Sequence, residues 1–428
     1  MKYEEIVETG NFDENQLEQI EEAFDNGLTE EQVELLARPE FTYRQMYQLR
    51  DAFNDGLSVE EVKLFAKPEF DDDQMKQISY AFENGLSLEH IKLFAKPELS
   101  SMKMEDIRLG ILHNLTEKQI KLFAKPEFDC YKRRIIREAF ENGLTEGQVT
   151  LFAKPEFNDS QMKEIRLAFE NGLTEGQVTL FAKPEFHFWE MKEIRLAFED
   201  GLTLEQIKLF AKPEFDFKQM KKLRFAFREN GLTLEQIKLF AKPEFDVSKI
   251  DLMEDAFTKY HLSFGQVKLI ANPEFNSKQM LELRKAFVER DKEKVKLFAK
   301  SKFSNSQMFE LRLAFENGLS VEQVKVIANT ELEGWQMSEL RKIFNDFNLS
   351  IEQVKIIANP SFDGWQMDEL AKAFAEDHLS TEQVKIICNP EFNAMQMSEL
   401  RKAFVEKDVE KIKLLSESNF SWEQMIEL

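Results

Sequence analysis

Histidine and cysteine are the side chains that most often carry acid–base, nucleophilic or metal chemistry, and this chain has five of the first and two of the second. Three of the histidines share one place in a recurring pattern. His261 and His378 stand where other copies of the pattern have glycine, and His113 stands just before that place, next to Asn114; Asn348 fills it once more. Gly, Asn and His are the residues that enter the left-handed backbone region, so helix termination accounts for the set. No zinc-ligand spacing accompanies them. Cys130 and Cys388 stand in distant copies and are not expected to meet, which fits reduced thiols and a cytoplasmic setting. The chain carries no phosphate-binding glycine loop, nucleophile elbow, kinase signature or Cys-x-x-Cys pair. Its glutamates recur at equivalent positions, as helix-surface charge does. No enzyme, no metal site and no cofactor is expected.

Two other sets of residues can do something. Arg50, Arg108, Arg137, Arg166, Arg195, Arg224, Arg284, Arg312, Arg341 and Arg401 hold one position in ten copies of the pattern. Stacked copies would line these guanidiniums into a ladder. It is expected to pair with acids one helical turn on, such as Glu170 and Glu199, in exposed contacts contributing about 0.3–0.5 kcal/mol each; the other reading is a track for an acidic ligand. The second set is a pair of positions just after a helix cap that changes from copy to copy. All four tryptophans, Trp189, Trp335, Trp365 and Trp422, fall in it. Exposed aromatic clusters mark interaction surfaces, and Trp is enriched at binding hot spots. Two concentrations stand out. One is Phe188, Trp189 and Phe217, with Leu196 and Phe225 further along the same helix face; the other is Trp335, Trp365, Met395 and Trp422, one copy apart. The alternative is that these rings fold back onto a neighbouring turn.

The elements that would position these residues are written in one unit, Phe157 to Glu185, FNDSQMKEIRLAFENGLTEGQVTLFAKPE. Its lead residue returns at steps of 28, 29 or 30 residues from Phe12 to Phe420, giving fourteen complete units and a stub. A fixed period of this length signals a solenoid. Asn158 with Gln161 and Thr174 with Gln177 are capping boxes that start two helices. Gly172 sits where the first must end in a left-handed conformation. Pro184 stops the second, because the residue before proline is pushed out of the helical region. The spacing predicts two short antiparallel helices, roughly 157–171 and 174–183. Met162, Ile165, Ala168 and Phe169 form one apolar stripe on the first. Such short helices are marginal alone and must bury that stripe on the next unit. The predicted fold is all-α, an α-α solenoid of about fourteen two-helix repeats wound into a superhelix, with a contour on the order of 130 Å.

Along the chain, residues 1–11 are expected to form a half-repeat cap, 12–419 the tandem helix pairs, and 420–428 a truncated fifteenth repeat. Near-copies such as LTEGQVTLFAKPEF at 144–157 and 173–186 suggest tandem duplication. Two connections, Arg290-Asp291-Lys292 and Lys407-Asp408-Val409, lack the usual Gly-Leu turn. Leu428 aligns with Ile165, mid-helix, so either the chain continues or that end packs on something. The start of the chain lacks the pattern of a signal peptide, and no run approaches the ~20 apolar residues of a membrane span. The formal charge of −22 repels phosphate backbones and favours solubility or basic partners.

The GLTxEQV start followed by a short apolar helix resembles repeats of TAL effectors and of mitochondrial transcription termination factors, both nucleic-acid binders. The chain lacks the Gly-Gly loop of the first. It also carries Asp71, Asp129, Asp216 or Asp363 where phosphate-contacting cations would be expected. The fuller pattern PEFxxxQMxEIRxAFExGLTxEQVKLFAK is similar to helix-pair repeats in uncharacterised proteins of gut Gram-positive bacteria and their mobile elements. The function expected is a cytoplasmic, non-enzymatic protein-interaction scaffold that presents the variable stripe to a protein or peptide, basic or elongated in form. The alternatives are an acidic decoy in phage–host conflict, nucleic-acid binding along the superhelix, and a structural spacer.

Overall fold

In the computed structural model of the chain, residues 3–289, 292–417 and 424 are described. All regular structure among them is helical. The chain divides into two compact units, Met1–Ile207 with Ala211–Pro213, and Lys208–Phe210 with Glu214–Leu428. Each is an α-α solenoid. In the first, helix Asp159–Glu170 packs on Phe188–Glu199 and Tyr43–Asn54 on Asp72–Glu83; in the second, Asn305–Glu316 packs on Gly334–Asp346, and Gly364–Ala375 on Ala394–Glu406.

The local grammar is realised atom by atom. Asn158 Oδ1 accepts the Gln161 N–H at 2.9 Å, and Gln161 Oε1 accepts the Asn158 N–H at 2.9 Å. Thr174 and Gln177 repeat the exchange at 3.4 and 2.8 Å. Gly172, at φ 84°, ends the first helix: its N–H reaches the Phe169 carbonyl, and the Leu173 N–H reaches that of Ala168. These are the paired bonds that satisfy a helix C-terminus. Asn114, His261, Asn348 and His378 take the same left-handed conformation, with φ between 48° and 58°. At the shortened connection Lys407 does so as well, at φ 59°. Arg290 and Asp291 of the other lie outside the described residues, as do the positions expected to form a fifteenth repeat, apart from Gln424.

The second helix is shorter than its predicted span. It runs Glu175–Val178 in this unit, because the chain then narrows into three-residue turns, Leu180 N–H to Gln177 O and Phe181 N–H to Val178 O. The tighter spiral carries Phe181 into the core, where it is fully buried. Met162, Ile165, Ala168 and Phe169 are buried too, as is the lead residue Phe157. Each such ring contributes about 1.5–3 kcal/mol of burial. At the N-terminal side Tyr3–Thr9 forms one helix that packs on Glu14–Asp25, with Ile6 buried. No helix among the described residues is long and apolar enough to cross a membrane.

Candidate protein-interaction surface

The first helices of the repeats hold both the arginine ladder and the variable positions. The guanidiniums do not stand in solvent: those with ion pairs have side chains at most 15% exposed. The pairing expected along one helix is present, Arg137 to Glu141 at 2.5 Å and Arg195 to Glu199 at 2.6 Å. A second set, not anticipated, runs between consecutive units. Arg195 Nε donates to Glu164 at 3.0 Å, Arg312 Nε to Glu282 at 2.8 Å and Arg341 Nε to Glu310 at 3.0 Å. These acids occupy one position, two residues before the arginine site of the preceding unit. Where that position is not acidic, the arginine turns to an acid three residues later: Arg50 to Glu22, Arg166 to Glu138 at 3.2 Å, Arg284 to Asp255 at 3.2 Å. At one rung the signs are exchanged. Lys222 stands at the acid's position and Glu254 at the arginine's, and they pair at 3.1 Å.

The electrostatics follow the geometry. Burial works against the charge on Arg195 and Arg312, yet carboxylates on both sides overcome it and hold each guanidinium above its ordinary value. Burial pushes the Asp106 carboxyl up, against the lowering pull of Arg133 at 2.8 Å. The ladder is therefore an internal seam of buried charge rather than a row of exposed tenth-kilocalorie contacts. Losing one partner of a buried pair costs about 3–5 kcal/mol.

A second seam uses the glutamine of the first capping box. Beyond closing the box, its amide nitrogen donates to backbone carbonyls of the next unit's lead turn. Gln45 reaches Phe70 O at 2.5 Å, Gln161 Phe186 O at 2.7 Å, Gln307 Leu332 O at 2.6 Å and Gln336 Phe362 O at 2.8 Å. Lys132 and Lys249 substitute for it, reaching Pro155 O at 3.0 Å and Pro273 O at 3.2 Å. Sequence reasoning saw only the capping role of this residue. Its recurrence beside the turn that leads each next unit was the available signal.

At Asp159 and Ser160 the first member of the variable pair is the more exposed, whereas in the two aromatic concentrations the pair splits by direction. Its second member points outward: Trp189 is 42% exposed, Trp335 52%, Met395 57% and Trp365 77%. The first member lies lower; Phe188 and Phe217 are half-buried and Gly334 is buried. Gly334 has to be glycine, because a Cβ there would come within 2.9 Å of Ser306. In the first unit Phe188 stacks between His187 at 4.5 Å and Trp189 at 4.6 Å, Lys192 lies over the Trp189 ring at 5.2 Å, and Leu196 is half-buried. In the second unit Phe225 is half-buried under Arg224, 4.6 Å from its centroid. Exposed Tyr47 and Phe309, not singled out before, carry Arg50 at 5.1 Å and Arg312 at 5.2 Å over their rings. Tyr47, Phe225 and Phe309 thus lie against guanidiniums of the ladder.

Trp335, Trp365 and Met395 are arranged differently. The Trp335 ring lies alongside Gly364, 3.9 Å from where a Cβ would stand. Trp365 and Met395 wall an open hollow of about 570 Å³, with Ala394 and Ser398 between them and Asp363 and Glu369 beside them. Trp422 lies outside the described residues. No protein-family model matches the chain, and no curated protein matches it. Both cysteines are free, and among the described residues no group of His, Cys, Asp and Glu is placed to hold a metal ion.

Proposed function

We propose that this protein is a non-enzymatic interaction scaffold that presents the face of Trp335, Trp365 and Met395 to a protein or peptide partner. One observation carries the proposal: Trp365 keeps 77% of its surface in solvent at the wall of a hollow, while rings elsewhere on the same helices cover arginines. Solvating a large indole at a concave site is unfavourable, and such residues supply the anchors of protein interfaces. Asp363, Glu369 and the net charge of −22 favour a basic partner. The one-unit spacing of Trp335, Trp365 and Met395 suits an elongated one. Pairing of the arginines with carboxylates supports a protein partner over nucleic acid, whose phosphates need free cations. The setting proposed is the cytoplasm, consistent with two free thiols.

The test compares affinity capture from host lysate by the parent chain and by Trp365→Ala. Selective loss of a captured protein, with the variant's unfolding midpoint unchanged, is the expected result. Equal recovery by both forms would remove the proposal.

A further inference from the structure

The repeat carries phenylalanine at the last core position of the first helix in thirteen of its fourteen complete units; the exception is Ile111. In two places that ring meets a phenylalanine of the preceding unit's second helix, Phe82 with Phe65 at 6.5 Å and Phe315 with Phe298 at 6.4 Å. Opposite Phe94 the equivalent residue is Ile111, so an aromatic partner is missing there. The surface above it is open. A hollow of about 460 Å³ lies between helices Leu88–Ile91 and Glu117–Phe123, floored by Leu93, Ile111, Leu115 and Ile120 and rimmed by Glu89, His90, Asn114 and Glu117. The corresponding hollow one unit along is floored by Leu122 and Phe140, measures about 310 Å³ and is rimmed by Lys118, Lys121, Lys125 and Glu146. The two differ in both floor and charge.

We infer that the hollow at Ile111 is a binding pocket for an aromatic side chain of a basic peptide, the ring taking the place a repeat phenylalanine would cover and a neighbouring cation facing Glu89 and Glu117. The aliphatic floor offers a planar ring apolar contact, and the polar groups at the mouth would fix its orientation. The acidic rim selects the charge beside it. This pocket lies in the first compact unit, apart from Trp365, and stands or falls independently of the tryptophan face.

The experiment titrates the full chain with Lys-Phe-Lys amide while methyl NMR follows Leu93, Ile111, Leu115 and Ile120. The inference expects shifts at these methyls that saturate in the millimolar range, are absent with Lys-Ala-Lys amide, and weaken in Ile111→Phe, whose own ring narrows the hollow. Ile111→Phe is expected to unfold no earlier than the parent. Should that variant fold poorly, Glu89→Lys decides: it weakens Lys-Phe-Lys and strengthens Glu-Phe-Glu. Absence of methyl shifts, equal shifts with Lys-Ala-Lys, or unaltered binding in a folded Ile111→Phe would overturn the assignment.

Discussion

At the scale of single residues, backbone conformation rather than contact decides what several glycines do. Gly172 and Gly176 sit in the same unit, and a Cβ added at either would meet nothing within 4 Å. Only Gly172 has a positive φ. Gly172→Ala should therefore destabilise by about 1 kcal/mol, whereas Gly176→Ala, inside a helix, should be neutral or stabilising by up to about 1 kcal/mol. Denaturant midpoints of the two variants check this, and equal losses would contradict it. The positions of Gly172, His261 and His378 were readable from the sequence because helix termination has a small residue vocabulary. The second role of Gln161 was not. Its amide nitrogen acts on a carbonyl 25 residues away, which no local pattern encodes. Gln161→Ala orphans that buried carbonyl and should cost about 1–3 kcal/mol. Gln177→Ala opens the same kind of capping box on an exposed helix start and should cost only about 1 kcal/mol. A smaller loss at Gln161 than at Gln177 would remove the proposed clamp.

Between elements, the ladder of buried charge sets which faces of consecutive first helices meet. The rung at Lys222 and Glu254 inverts the usual order of acid and base while keeping the pair, which is what a packing constraint requires and a ligand track would not. Lys222→Glu leaves two carboxylates facing each other, with Glu254 buried, and should cost about 3 kcal/mol or more. Adding Glu254→Arg rebuilds the arrangement of Glu164 with Arg195 and should recover most of the loss. A double-mutant cycle in urea measures the coupling, expected at about 1–3 kcal/mol. Additive losses would mean the rung is decorative. The sequence showed the arginine period and the acids on its own helix, but not the partner one unit back. Partners such as Glu164 and Glu138 sit at different offsets, and choosing between them needs the packed helices. The same limit applied to the aromatic residues: Tyr47 and Trp365 look alike as exposed rings in a list, and only geometry separates a ring under Arg50 from one at the wall of a hollow.

For the whole molecule, stability should be a sum of unit terms and nearest-neighbour seams, with no central core shared by distant repeats. Gln366→Ala removes a bond to Phe392 O and should raise hydrogen exchange in Gly364–Ala375 and Ala394–Glu406 while leaving Tyr43–Asn54 unchanged. A uniform loss of protection would contradict the additive picture. The helical fold was legible from the repeat because the same caps, glycines and apolar stripe recur along the chain. Function was less so, since repetition reports what packing needs and only departures from it report anything else. The most direct test of the scaffold proposal is one paired measurement on Trp335→Ala/Trp365→Ala: the affinity for the captured partner and the unfolding midpoint. The account predicts binding weakened by more than about 2 kcal/mol with the midpoint nearly unchanged. A sharp fall in the midpoint, or binding left intact, would show that these rings pack the repeats and do not meet a partner.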